Sequence, residues 1–152
     1  MRRSSTNNLR RGFTLMETVL CLGLVLLVIA AAAPLVAGLR QALQLSMETQ
    51  TLASQLYRAR SWAITEQVTV ELELAADRSA YRLHLPSEPS MDAPWRRLPS
   101  SVHLVEIPPA PVRFYALGHA SPGGTYRLQS GRLRSSIIVS LTGRTRIQYD
   151  ND

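Results

Sequence analysis

The sequence predicts an α+β protein: a long N-terminal helix, membrane-spanning in its first half, packed on an antiparallel β-sheet or β-sandwich. Three features of the 152 residues point there. Residues 18–39 hold no charged side chain, residues 40–66 repeat apolar positions near the helical period, and from residue 67 the period switches to two. The length leaves room for one domain, or for a small domain plus an anchor, and argues against a large enzyme.

The formal net charge of +6 is unevenly spread. All 17 basic residues are arginine, a bias of coding rather than chemistry, since no physical need forbids lysine at every surface position. Arg2, Arg3, Arg10 and Arg11 make residues 1–12 strongly basic, residues 13–112 are slightly acidic, and residues 113–152 are basic again. A basic head and tail therefore set the overall charge.

From Thr18 to Leu39 the chain reads TVLCLGLVLLVIAAAAPLVAGL. As a helix these 22 residues cover roughly 33 Å, enough to cross a hydrocarbon core of about 30 Å. A buried core helix rarely stays this apolar on every side. The four arginines ahead of the run, with only Glu17 between, place the N-terminus in the cytoplasm and everything after Leu39 outside it. The run exceeds the apolar region of a cleaved secretory signal, about 7–15 residues, and Ala30 to Ala33 lead into further helix. Cys21 is the single cysteine; alone it makes neither an intrachain disulfide nor a metal knuckle, and Leu20 before it departs from a lipoprotein junction. It reads as a small apolar residue. Glu17 stands at the mouth of the run. Either a cationic partner meets it there, because a bare charge in lipid is costly, or headgroup water hydrates it.

Residues 10–17 read RRGFTLME. This resembles the leader junction of type IV pilins and type II secretion pseudopilins. Those proteins have a short basic leader ending in glycine, a methylatable residue, a glutamate at the fifth mature position and then an apolar helix. Gly12, Phe13 and Glu17 occupy those places. The resemblance implies that residues 1–12 are a prepilin leader, cut between Gly12 and Phe13 by a prepilin peptidase on the cytoplasmic face, and that Phe13 is then N-methylated. Glycine at the junction lets a protease approach the backbone closely. Cleavage exposes an α-amino group on Phe13, and at about 4 Å and an effective dielectric of about 20 a carboxylate attracts it by about 4 kcal/mol. In the family the glutamate of an incoming subunit pairs with the amine of a neighbour; within one chain Phe13 and Glu17 are i and i+4, so an intrachain pair competes. Pro34 matches a proline that pilins carry at this distance, where the helix can loosen during assembly.

Beyond Arg40 the helix continues to Glu66. Leu45, Leu52, Leu56, Ala59 and Ala63 recur near the helical spacing, with Gln41, Gln44, Glu48, Gln55 and Arg58 between them. Trp62 and Ile64 read as core. Residues 67–74, QVTVELEL, alternate strictly, with Val68, Val70, Leu72 and Leu74 on one face and Thr69, Glu71 and Glu73 on the other. After a turn at 75–79, Tyr81, Leu83 and Leu85 alternate again, giving a β-hairpin. Residues 86–99 form a proline-rich loop ending in Trp95-Arg96-Arg97. Further strands are expected at 101–107, 112–117, 125–130, 135–141 and 144–149, punctuated by Pro and Gly. The expected organisation is a leader at 1–12, a helix at 13–66 that spans the membrane over about 18–39, and an extracytoplasmic β-rich domain at 67–152.

Phe114, Gly118, Pro122-Gly123-Gly124-Thr125, Leu128, Ile138-Val139-Ser140 and Gly143-Arg144-Thr145-Arg146 resemble the GspH/FimT family of minor pilin-like proteins. That resemblance implies a pilin-like fold and a non-catalytic subunit of a type II secretion pseudopilus in the inner membrane, partnered by other pilin or pseudopilin subunits. The alternative it implies is a FimT-like minor type IV pilin that binds DNA during uptake.

Catalytic signatures are missing: no HExxH, paired CxxC, GxxxxGK[ST] or GxSxG appears. His84, His103 and His119 are dispersed, so no catalytic residue, metal site or cofactor is expected. Arg132 and Arg134 are two apart, as are Arg144 and Arg146, so on strands each pair would share a face. Four guanidiniums near one end of a domain would suit a phosphate backbone, binding by counterion release, while the ordinary alternative is a solvated strand face. The resembled family associates its Gly-Arg-x-Arg segment with DNA in some members. Aromatic interleaving is missing, so such binding would be sequence-tolerant.

Overall fold

The computed structural model describes residues 14–150. Among these, one α-helix, α1 (Leu15–Glu66), precedes β1 (Val70–Leu74), β2 (Ala80–His84), a 3-10 turn (Pro89–Met91), β3 (Arg96–Arg97), β4 (His103–Glu106), β5 (Arg113–Phe114), β6 (Ala120–Ser121), β7 (Gly124–Ser130), β8 (Leu133–Val139) and β9 (Thr145–Asp150). The strands form two antiparallel sheets, ordered β3-β2-β1-β5-β6 and β4-β7-β8-β9. This is the α+β class that the periodicities predict. The chain divides into two compact units between Gly38 and Leu39, inside α1 rather than at its end.

In the first unit α1 is apolar on every side. Leu20, Leu22, Leu24 and each residue from Val25 to Ile29 are more than half exposed. The helix is long and apolar enough to cross a membrane. Pro34 lies inside it without ending it, and leaves the Ala30 carbonyl without its helical donor.

The second unit has a one-sided helix. Leu45, Thr49, Leu52, Leu56, Ala59 and Ala63 alternate at spacings of four and three, and none is more than 4% exposed. The five apolar members are the stripe read from the sequence; Thr49 completes it. Its hydroxyl donates to the Leu45 carbonyl at 2.7 Å and therefore accepts from Ser135 on β8, which is also fully buried. The pair satisfies both polar groups and sets the helix against the second sheet. Around this stripe close Val70, Leu72, Tyr81, Leu83 and Phe114 of the first sheet and Leu104, Tyr126, Leu128, Ile137 and Val139 of the second. Trp62 packs on the core, whereas Ile64 is 42% exposed and lies on the helix flank, against the expectation that both are core.

Some boundaries differ from the sequence reading, each for a local reason. The strand expected at 67–74 begins at Val70, because Gln67 takes a left-handed conformation (φ 55°) that ends the helix while its side-chain amide donates to the Ile64 carbonyl. Residues 112–117 give only Arg113–Phe114, because the Gly118 N–H bonds the Tyr115 carbonyl and turns the chain. β3 lies inside the expected loop at 86–99, and β6 was not anticipated; each is two residues long, too short to show a period.

The outward side of the first sheet is a charge network. Glu71, though on the polar face of β1, is only 8% exposed, covered by Arg113 at 2.7 Å and by His84 at 4.0 Å. Arg82 bonds Glu73 at 2.7 Å and Asp92 at 3.1 Å, and Asp92 also takes His84 Nδ1 at 2.8 Å. The Leu85 N–H, then His84 and Arg82, hold Asp92 below the ordinary carboxylate range against the opposing effect of burial. A depressed carboxylate binds fewer protons folded than unfolded. Its stabilisation is therefore complete above the unfolded pKa and is lost as pH falls through the folded one. Denaturant midpoints of the detergent-solubilised chain should drop from about pH 4 downward. Asp92→Asn should be less stable at neutral pH and show a flatter acid limb.

Candidate functional site

The helix start combines two signals. Gly12 and Phe13 lie outside the described residues. Thr14 precedes α1, and its Oγ1 accepts the Glu17 N–H at 3.3 Å, so Thr14-x-x-Glu17 is a capping arrangement with the acid in the first turn. That signal is legible in the sequence and stands beside the two readings of Glu17, as a charge partner or as an acid hydrated by headgroup water. The positive end of the helix dipole favours an acid here by a few tenths of a kcal/mol to about 1 kcal/mol. The Glu17 side chain is exposed, with no cation within 4 Å among the described residues. The apolar band begins behind it, and Leu15 and Met16 just ahead of it are more exposed still. A continuous apolar surface of this size needs lipid or other helices to cover it.

The structure separates the four arginines. Ser130 pairs with Leu133, leaving Gly131-Arg132 as a two-residue turn, and Arg144 lies in the turn before β9. Only Arg134 and Arg146 are on strands, each exposed on the outward face, since Ser135, Ile137 and Val139 point into the core. Arg134 stands opposite Gln129 and Asp150, and Arg146 opposite Ile138. Four residues of β8 thus separate the pairs by about 13 Å, placing them at opposite ends of the β8–β9 hairpin instead of together at one end. None of the four has a carboxylate within 4 Å among the described residues. Arg127, between them on the same sheet face, is already bonded to Glu106.

The glycine of Gly143-Arg144-Thr145-Arg146 does different work from its arginines. Gly143 is buried with φ 74°, and a Cβ there would collide with the Gly118 carbonyl. Gly118, at φ 80°, presents that carbonyl to Arg60 Nε at 2.9 Å. Tyr57 donates its hydroxyl to the Thr145 carbonyl at 2.8 Å. Two side chains of α1 thus hold the turns at 115–119 and 140–144, and Arg144 is displayed from a fixed backbone. No sequence signal marked Tyr57 or Arg60 for this, because both sit off the buried stripe. Among the described residues no group of three metal-ligating side chains occurs. His119 stacks on Tyr115 with ring centres 4.7 Å apart.

The profile of a family described as the type II transport protein GspH matches residues 48–143. Among solved structures, the minor pseudopilin EpsH of the Vibrio cholerae type 2 secretion system aligns with a TM-score of 0.60 at 11% identity, covering 72% of this chain and 99% of its own. The type IV minor pilin FimU of Pseudomonas aeruginosa aligns with a TM-score of 0.54 at 19% identity, covering 68% of this chain and 92% of its own. Both likenesses are of fold. No curated protein matches by sequence.

The matched region ends on the glycine that the packing isolates. Gly143→Ala should cost about 2–4 kcal/mol, from steric overlap and an unfavourable φ, and lower the melting temperature by roughly 10 °C. Arg144→Ala, one residue on and exposed, should change stability by no more than about 0.5 kcal/mol. Thermal unfolding followed by circular dichroism checks both.

Proposed function

The chain belongs to the GspH family of type II transport proteins, and from that membership we propose that it is a minor pseudopilin, a non-catalytic structural subunit of a type II secretion pseudopilus. The observation that carries this reading is the exposed apolar band of α1 with one carboxylate, Glu17, at its mouth. In this reading the band first anchors the chain in the inner membrane, N-terminus inside and the β-rich unit in the periplasm. It then packs against the corresponding helices of other subunits in the filament.

The leader, residues 1–12, is removed between Gly12 and Phe13 by the prepilin peptidase, and Phe13 is N-methylated. The new amine supplies a cation that Glu17 lacks among the described residues. A pair within one chain feels the same attraction but recruits nothing. Between chains, at the lipid boundary, the two charges attract by about 4 kcal/mol before desolvation and align one subunit axially on the next. Pro34 supports this role by weakening one turn of the band, which lets the helix adjust as it leaves lipid.

Mass spectrometry of the membrane-extracted protein should find a chain beginning at N-methyl-Phe13; an intact Met1 would overturn the processing. Glu17→Ala should leave the amount in membranes unchanged and reduce recovery in sheared filaments by at least about tenfold, equivalent to about 1.4 kcal/mol. Equal recovery would remove the electrostatic step.

A second reading, a FimT-like minor pilin that binds DNA, is favoured by Arg132, Arg134, Arg144 and Arg146 all being exposed and unpaired among the described residues. The two ends of the hairpin would each meet phosphates, with Asp150 weakening the Arg134 end. If so, replacing Arg144 and Arg146 with alanine should lower the slope of log affinity against log salt by about 2, measured with duplex DNA. An unchanged slope would dismiss this reading.

A further inference from the structure

Two turns of the β-rich unit are fixed beside the first residues of its helix segment. In the turn that joins β7 to β8, Gly131 lies so close to α1 that a Cβ on it would come within 3.1 Å of Gln41 Oε1. Gln129 braces the same turn, its Nε2 donating to the Gly131 carbonyl at 2.8 Å. In the turn before β4, Ser101 donates its hydroxyl to Gln44 Oε1 at 2.9 Å. Gln41 and Gln44 stand two and five residues past Leu39, the last residue of the uncharged run. At about 1.5 Å per residue they rise roughly 3 Å and 7.5 Å beyond it along the helix. Outside a hydrocarbon core the headgroup layer is about 5–7 Å thick. On a chain anchored by that run, the β7–β8 turn therefore lies at headgroup level and the Ser101 turn at its upper margin.

The residues displayed there match that level. Arg132, Leu133 and Arg134 follow Gly131 in direct succession and all three are exposed, Leu133 at 39%. Arg40 is exposed one residue past the run. None of these arginines has a carboxylate within 4 Å among the described residues. Asp150 stands opposite Arg134, and Asp77 and Arg78, in the β1–β2 turn beside Ser100, offset each other. Arg40, Arg132 and Arg134 set against Asp150 leave cations in clear surplus at this end of the unit.

We propose that Arg40, Arg132 and Arg134 form a binding site for anionic phospholipid headgroups, with Leu133 reaching toward the acyl chains. The proposal rests on the membrane anchoring of the reading above and adds a second contact to it, made by the β-rich unit. Guanidiniums bond phosphate oxygens in forked, charge-assisted pairs. Arg134 stands one residue further along β8 than Leu133, and its long stem lets the guanidinium reach back to the headgroups. An apolar side chain flanked by arginines has the composition of a segment that lies in the interface, cations on phosphate and side chain toward the lipid interior. Position selects lipid over other phosphates. The anchor presents the turn to the headgroups of its own leaflet at high effective concentration, whereas a nucleic acid or free phosphate is drawn from solution. The contact exists only while the run is in lipid. It holds the β-rich unit down before assembly, and a subunit entering a filament gives it up.

Arginine modification of the full chain by phenylglyoxal, read by peptide mass spectrometry, carries its own controls. In lipid nanodiscs containing phosphatidylglycerol, Arg132 and Arg134 should react at least about fivefold more slowly than in non-ionic detergent micelles. Arg144 and Arg146, at the other end of the hairpin, should react at the same rate in both. The slowing should be clearly smaller in discs of phosphatidylcholine alone. Leu133→Asn, which removes the apolar side chain without adding charge, should bring both rates back toward the micelle value. Equal rates for Arg132 and Arg134 in discs and micelles overturn the proposal while leaving the anchor intact. Equal slowing at all four arginines, equal slowing in phosphatidylcholine discs, or unchanged protection in Leu133→Asn does the same. Comparable slowing by inorganic phosphate or duplex DNA added to the micelles overturns the choice of lipid. A chain that fails to enter the discs overturns the anchoring reading itself, and this proposal with it.

Discussion

One helix must satisfy two solvents. Over its first part α1 offers apolar side chains in every direction, and water cannot cover them at acceptable cost. From Leu45 to Ala63 the same helix narrows its apolar surface to one stripe, which the two sheets bury completely. The second requirement builds the β-rich unit: each sheet turns its apolar face to the stripe, and Thr49 bonded to Ser135 ties helix to sheet where an apolar pair would merely slide. The first requirement is left open within the single chain. In the proposed reading membrane and neighbouring subunits are the two environments that would close it, so anchoring and assembly would draw on one surface.

Packing and display are divided between adjacent residues. In the turn before β9, Gly143 leaves no room for a Cβ against the Gly118 carbonyl or Arg60, while Arg144 reaches solvent. In β1, Val70 and Leu72 enter the core while Glu71, one position away, is covered by partners from β2 and β5. The alternation of a strand makes this division possible at single-residue resolution. It also explains why most charges on the first sheet are spoken for: they neutralise one another across neighbouring strands, leaving little for a partner except at the sheet edge, where β3 ends the hydrogen-bonded ladder.

What could be read from the sequence follows from range. The apolar span, the buried stripe and the β1–β2 hairpin are periodic over five or more residues and were legible, as were the turns at Gly118 and Gly143. β3 and β6 were not, because two residues carry no period and pair only when a longer strand offers an edge. The grouping of Arg132 and Arg134 with Arg144 and Arg146 failed for a different reason. Residue spacing gives the face of a strand but not which end of a hairpin a turn occupies, and antiparallel pairing sends the two turns apart.

Helix packing alone cannot tell one subunit from another. Leucine, valine and alanine in a band offer neighbouring helices the same dispersion contacts that lipid offers, and in the proposed reading the Glu17 charge would fix axial position without identifying its partner. If the chain occupies a particular place in a filament, the discrimination must come from groups whose pairing is costly to get wrong. In the β-rich unit Arg132, Arg134, Arg144 and Arg146 have no carboxylate within 4 Å among the described residues, but they are spread along an open hairpin. An open row of hydrated guanidiniums tolerates many anions, because a mismatched partner strands no buried donor. Whatever the hairpin meets is therefore met with little discrimination.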